Sequence, residues 1–233
     1  KKSFEVDIKS GFQILHLDPS IDIHGSLTNA KALERLFDLY EYCYSRAIKY
    51  GQEILFEIGT EEQSGSTNTP DQLEFTLSEV QKFCKKNNIP LPTFVVIQSG
   101  TRVAEMRNIG SFDSPFRVAN EIPPEIQIPK MIGICKKYNI FMKAHNTDYL
   151  SDEALSWYPR LGIHSANIAP EFGVVESKAF LKILRKNNLD KIAEEFINLA
   201  FKSRKWEKWV LDEKKLDFES KAIISGHYIF STS

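Results

Sequence analysis

Histidines, carboxylates and amides collect where short apolar runs stop: His16-Leu17-Asp18, Glu57-Ile58-Gly59-Thr60-Glu61-Glu62, Gln98-Ser99-Gly100 and Lys143-Ala144-His145-Asn146-Thr147-Asp148. Neutral imidazole and carboxylate oxygen are the donors that hold a divalent cation such as zinc. They also serve as general base and acid on a sugar hydroxyl. If the apolar runs are strands, residues two apart project to one side. His16 then goes with Asp18, Glu57 with Gly59 and Glu61, and Lys143 with His145. Aligned inward, these sides would gather two imidazoles and two or three carboxylates at one cavity mouth. His16 and His145 are the candidate metal ligands, and Asp18, Glu61 and Asp148 the candidate catalytic carboxylates. Glu57, Gln98, Lys143, Asn146 and Asn167 are the candidate substrate contacts.

Plainer explanations compete. A histidine at a strand end is commonly a hydrogen-bonded structural residue, and no short His-x-His or Cys-x-x-Cys spacing fixes a metal here. Glu61-Glu62 reads equally as a solvated loop pair, and His24, His164 and His227 as surface or core residues. Arg102, Arg107 and Arg117 share one long loop, where a phosphate clamp and ordinary surface arginines are both open readings. Trp206 and Trp209, three apart, read as helix packing rather than a ligand platform.

The elements that must position these groups alternate. Strands are expected over 11–19, 53–59, 93–98, 140–145 and 162–168. A helix with the stripe Leu33, Leu36, Phe37, Tyr40, Tyr44, Ala47 and Ile48 runs from 27 to a stop at Gly51. Thr69-Pro70 opens the next in the order N-cap then proline, Pro123-Pro124 opens another, and Ser151 caps a short one. The long loop from Ser99 to about Ile122 carries no expected element, and the chain from Glu176 onward reads as mostly helical. Short apolar strands separated by amphipathic helices mean parallel pairing and an α/β fold in a single domain over 1–233. No glycine-rich phosphate loop follows the first strand, which disfavours a nucleotide-binding open sheet. Polar chemistry at the carboxyl ends of several strands suits a β/α barrel, although five strands are visible where a barrel has eight.

The 233 residues are 42% apolar, with 30 Lys+Arg against 31 Asp+Glu. Near-balanced charge argues against nucleic acid, because displacing phosphate counterions takes a basic surplus. No run reaches the roughly 18 apolar residues of a membrane span. The amino end, Lys1-Lys2-Ser3-Phe4, lacks a signal-peptide core, so a cytoplasmic location is expected. Cys43, Cys84 and Cys135 are odd in number, far apart and in apolar surroundings, which predicts three buried thiols.

Phe12 to Pro19, Ile58-Gly59-Thr60-Glu61, Val96-Ile97-Gln98-Ser99-Gly100 and Ala144-His145-Asn146-Thr147-Asp148-Tyr149 occur in order. Together they resemble the accessory, non-catalytic subunit of class II D-tagatose-1,6-bisphosphate aldolase. The likeness continues more weakly around Trp206 and Trp209 and into 215–228. It implies a (β/α)8 TIM-type barrel in which the visible strands are the fourth to the eighth, making this an internal fragment that lacks the first three βα units. It also implies a sugar-phosphate ligand and a role supporting a catalytic aldolase subunit in galactitol or N-acetylgalactosamine catabolism. His16, Asp18, Glu61, His145 and Asp148 fall on the family's blocks. The chain departs at Asn167-Ile168-Ala169-Pro170, where many members carry Lys-Val-Gly-Pro, and in the loop 62–69, which lacks the usual prolines. The alternative is that the protein is itself a metal-dependent aldolase or epimerase, with His16 and His145 on the metal and Asp18 or Glu61 as base.

Overall fold

A computed structural model describes residues 1–19, 28–59, 69–114 and 122–230. Five parallel strands form one curled sheet in the order β1 (Ile14–Leu17), β2 (Leu55–Ile58), β3 (Phe94–Ile97), β6 (Phe141–Ala144), β7 (Ser165–Ala166). Between β3 and β6 a small antiparallel hairpin, β4 (Val103–Ala104) and β5 (Arg107–Asn108), interrupts what reads as plain loop in the sequence. Its signal is faint because each strand has two residues and the Glu105-Met106 turn contains no glycine. Glu105 takes the positive φ of 58° that such a turn requires.

Helices α1 (Lys2–Lys9), α2 (Asn29–Tyr50), α3 (Pro70–Asn87), α4 (Pro124–Tyr138) and α5 (Asp152–Leu161) pack on one face of the sheet. Alternation along the strands makes that face. Leu15, Leu17, Phe56, Ile58, Val95, Ile97, Met142 and Ala144 point into a core completed by Leu36, Leu77, Met131 and Tyr158. The expected helix ends hold. Gly51 closes α2 at φ 64°, Thr69 and Gln72 form a reciprocal capping box on α3, and the Ser151 hydroxyl accepts from the Ala154 N–H. Cys43, Cys84 and Cys135 are all buried and unbridged.

Two expectations need correction. The last strand is only Ser165–Ala166, not 162–168, and the helix after it starts at Pro170, not near Glu176. Proline at the first helical position, without an N–H to satisfy, starts α6 (Pro170–Lys186) as soon as the ladder ends. The helices α6, α7 (Asp190–Lys202) and α8 (Phe218–Ser225) build a second core from Val174, Leu181, Phe196, Ala200 and Ile223.

The concave face of the sheet is different. Ile14 and Leu55 face each other in register and are 46% and 51% exposed, and Phe94 lies beside Phe141, which is 48% exposed. On α6 a second apolar stripe, Phe172, Val175, Ala179 and Ile183, is exposed along one side. No described helix is long and apolar enough to cross a membrane.

Candidate functional site

The predicted polar residues resolve into two groups on the concave side. The first lies inside the strands. Glu57, in β2, takes a hydrogen bond from His16 Nδ1 at 2.8 Å and from Lys143 Nζ at 3.0 and 2.8 Å, one to each carboxylate oxygen. The register explains the reach, because His16 is paired with Glu57 across β1 and β2, while Lys143 comes from the far side of β3. Glu57 and Lys143 side chains are only 5% and 19% exposed. Burial pushes the Glu57 carboxyl up, but the His16 and Lys143 hydrogen bonds and the Lys143 charge outweigh it and hold it below its usual range. Gly59 makes room for this arrangement. A Cβ there would come within 2.9 Å of His16 Cε1 and 3.3 Å of Asp18 Cβ, so His16 and Asp18 lie together over that glycine.

The second group begins one residue past the strand ends. Gln98 follows β3 and His145 follows β6. Gln98 Oε1 accepts from His145 Nδ1 at 2.9 Å and from Asn146 Nδ2 at 3.1 Å, and the Gln98 backbone oxygen accepts from Gln127 Nε2. An amide oxygen cannot donate, so His145 Nδ1 is assigned the proton, which makes Nε2 the basic nitrogen of the neutral ring. Asn146 adopts φ 52°, a left-handed conformation that asparagine tolerates and that turns the chain sharply after the strand.

Asp148, 1% exposed, is turned toward α6. Its Oδ1 accepts from the Ala169 and Glu171 N–H groups at 2.9 and 2.8 Å. Burial pushes its carboxyl up, against the pull of those two donors. Asn167 holds the same loop through its backbone oxygen, which accepts from the Thr147 N–H and hydroxyl at 3.0 and 2.8 Å.

Around this second group opens a cleft of about 320 Å³. Gln98, Arg102, His145, Asn146, Asp148 and Asn167 form one wall, and the segment Lys208 to Leu211 forms the other. Sequence reasoning missed that second wall. Trp206 does pack as expected, buried and bonded through its indole N–H to the Phe201 oxygen. Trp209 instead lies in a 3-10 turn and lines the cleft. The aromatic was visible in the sequence, but nothing local shows that α7 and α8 return the chain over the strand ends.

Asn108 on β5 was also missed. Its Oδ1 accepts from the Arg102 and Gly110 N–H groups, both at 3.2 Å, and its Nδ2 donates to the Asn146 and Asp148 oxygens, both at 2.9 Å. Every hydrogen-bonding position of the amide is used, so one side chain ties the hairpin to the loop carrying His145.

Of the three loop arginines, Arg102 lines the cleft, Arg107 is exposed and paired with Glu105 at 3.1 Å, and Arg117 lies outside the described residues. Glu61, Glu62 and His24 also lie outside them. His16 and His145 share the concave side but have separate partners. Among the described residues no three His, Cys, Asp or Glu side chains could hold one metal ion together. The described residues alone therefore do not make up a metal centre.

Fold and site define an α/β protein with a curled, half-barrel parallel sheet and a polar cleft at the carboxyl ends of three strands. No protein-family model matches the chain, and no curated protein matches it in sequence. Among solved structures, a probable tagatose 6 phosphate kinase from Sinorhizobium meliloti 1021 superposes with TM-score 0.69 at 18% identity, over 98% of this chain and 59% of that one. Fructuronate-tagaturonate epimerase UxaE from Cohnella laeviribosi, complexed with two glycerols, gives 0.61 at 13% identity over 97% and 57%. Its complex with one glycerol gives 0.58 at 12% over 98% and 56%. The chain thus spans less than two thirds of the length of each of these proteins, and the likeness is one of fold.

Proposed function

We propose that the chain is the sugar-binding portion of a (β/α)8 barrel protein of carbohydrate metabolism, of the accessory type that supports a class II tagatose-bisphosphate aldolase in the cytoplasm. The observation that carries this reading is the Gln98, His145 and Asn146 constellation, held rigidly at the mouth of a cleft where barrel proteins bind their ligands. Amide and imidazole groups of this kind match the alternating donors and acceptors of a polyol. Structural neighbours named for tagatose 6-phosphate and tagaturonate add support of a weaker, fold-level kind.

In this reading residues 1–233 are one domain, and three further βα units complete the barrel. The exposed Ile14, Leu55 and Phe141 on the concave face, and the exposed α6 stripe at the opposite edge, are what such units would cover. Full burial of an exposed side chain of that size is worth about 1.5–3 kcal/mol, and Ile14, Leu55 and Phe141 each have about half of that still to gain. Co-expression with a cognate catalytic aldolase is expected to raise its activity on D-tagatose 1,6-bisphosphate or its soluble yield. No change in either would remove the accessory role.

A second reading makes the protein itself a metal-dependent aldolase or epimerase. The tautomer of His145 favours it, since a neutral ring carrying its proton on Nδ1 presents Nε2 as the lone pair that a divalent cation would take. His16 and His145 would be metal ligands there, with Asp18 or Glu61 as the proton-transfer base. Stoichiometric zinc by elemental analysis, with turnover of ketohexose phosphates by the protein alone, is the expected result. Absence of both would exclude it.

A further inference from the structure

Barrel proteins commonly seat a phosphate where the loops of the last strands meet a helix N-terminus, whose unpaired N–H groups and dipole favour an anion. Here that place is the start of α6, directly after β7, and it is filled from within. Asp148 Oδ1 accepts from the Ala169 and Glu171 N–H groups at 2.9 and 2.8 Å, and Pro170 between them has no N–H to offer. The Glu171 carboxylate turns back onto the same loop and accepts from the Tyr149 N–H at 2.7 Å. Two carboxylates therefore occupy the helix start, and an incoming anion meets like charge there.

Two cationic side chains belong to the same cleft. Arg102 and Lys208 both line it and both are exposed. The Lys208 ammonium stands over the rings of Trp209 and Tyr228, 4.8 and 5.5 Å from their centroids. That aromatic pair is itself joined by the Trp209 indole N–H to the Tyr228 hydroxyl at 3.4 Å. The segment is fastened to the hairpin where the Glu105 N–H donates to the Trp209 oxygen at 2.5 Å. Arg102 is held at its backbone by Asn108 Oδ1. The cleft also has the polar side chains of Gln98, His145, Asn146 and Asn167 in its lining. A volume of about 320 Å³ is near the lower end of the roughly 300–1,000 Å³ range of ligand pockets, room for one hexose-sized molecule.

We infer that the cleft takes a hexose-sized anionic ligand whose charged group sits between Arg102 and Lys208, with its hydroxyls toward His145, Asn146 and Asn167, and not on the N-terminus of α6. This rests on the sugar-binding reading above and adds where the charge is held. A sugar phosphate and a sugar carboxylate share the required chemistry.

The test is calorimetric titration of the protein with D-tagatose 6-phosphate, D-tagaturonate and neutral D-tagatose, repeated on Arg102→Gln and Lys208→Gln. Both side chains are exposed, so the variants are expected to melt with the parent. Each is expected to bind the anionic sugar roughly tenfold more weakly, as for loss of one charged hydrogen bond, with affinity for D-tagatose unchanged. Preference for the phosphate or the carboxylate names the anion, and either result with that loss supports the inference. Variants that bind the anionic sugar as tightly as the parent would overturn it while leaving sugar binding intact. A parent protein that binds none of the three sugars would overturn both.

Discussion

The two polar groups of the concave face grow from the same sequence pattern, yet they end in opposite states. His16, Glu57 and Lys143 lie within β1, β2 and β6, where the ladder fixes the backbone and neighbouring strands bring the side chains together. They pair with one another, Glu57 and Lys143 largely buried and His16 still 42% exposed. Gln98, His145 and Asn146 come after the last ladder residues, where the chain is free to turn, and their mutual hydrogen bonds orient them while one side faces an open cleft. A shift of one residue past the strand end separates a group paired across the ladder from one that lines the cleft.

Removing charge from the interior group is expected to do the most damage. Glu57→Ala leaves the Lys143 ammonium, 19% exposed, without its partner, and a loss of about 3 kcal/mol is expected in denaturant unfolding. Equal stability of variant and parent would show that the ion pair is not what holds this face. Asn108→Ala, which strips four hydrogen bonds from the loop behind the cleft, is expected to cost about 2 kcal/mol and to weaken sugar binding as well. Asn108→Asp keeps the acceptor but sets a carboxylate oxygen against the Asn146 and Asp148 backbone oxygens, and should cost at least as much. Asp148→Ala removes the carboxylate at the start of α6, with an expected cost of about 1 kcal/mol readable as a lowered melting temperature.

Acid should distinguish the groups in a graded way. The Glu57 carboxyl titrates below its usual 4.5 in the folded chain, so between the two values the unfolded chain binds more protons. Its stabilising contribution is complete above about pH 4.5 and declines as the pH falls through the folded value. In Glu57→Gln that part of the acid sensitivity should disappear, and an unchanged stability profile against pH would contradict the assignment.

Much of the frame was legible because it is local. Thr69-Pro70 with Gln72, Gly51 and Ser151 announce helix ends by side-chain and backbone chemistry confined to one turn. The first four strands are visible as apolar runs, trimmed at their ends. The region around β7 was misread because Ile163 and Ile168 extend an apolar run beyond a ladder of two residues. The strand-end residues of the cleft were legible as chemistry, whereas Asn108, Lys208 and Trp209 were not. Asn108 gains its role from a hairpin too short to predict, and the other two from a return of the chain that only the packing of α6, α7 and α8 specifies. The helix α1 escaped notice because eight residues with one buried side chain, Ile8, leave no periodic stripe to find.

The central claim is that the cleft, and not the ion-paired interior, receives the sugar. Crystals of the protein soaked with D-tagatose 6-phosphate test it most directly. The account predicts density for the ligand beside His145, Asn146 and Asn167, with the His16, Glu57 and Lys143 contacts unchanged. Ligand seated on Glu57 and Lys143 in place of their ion pair, with the cleft empty, would contradict it.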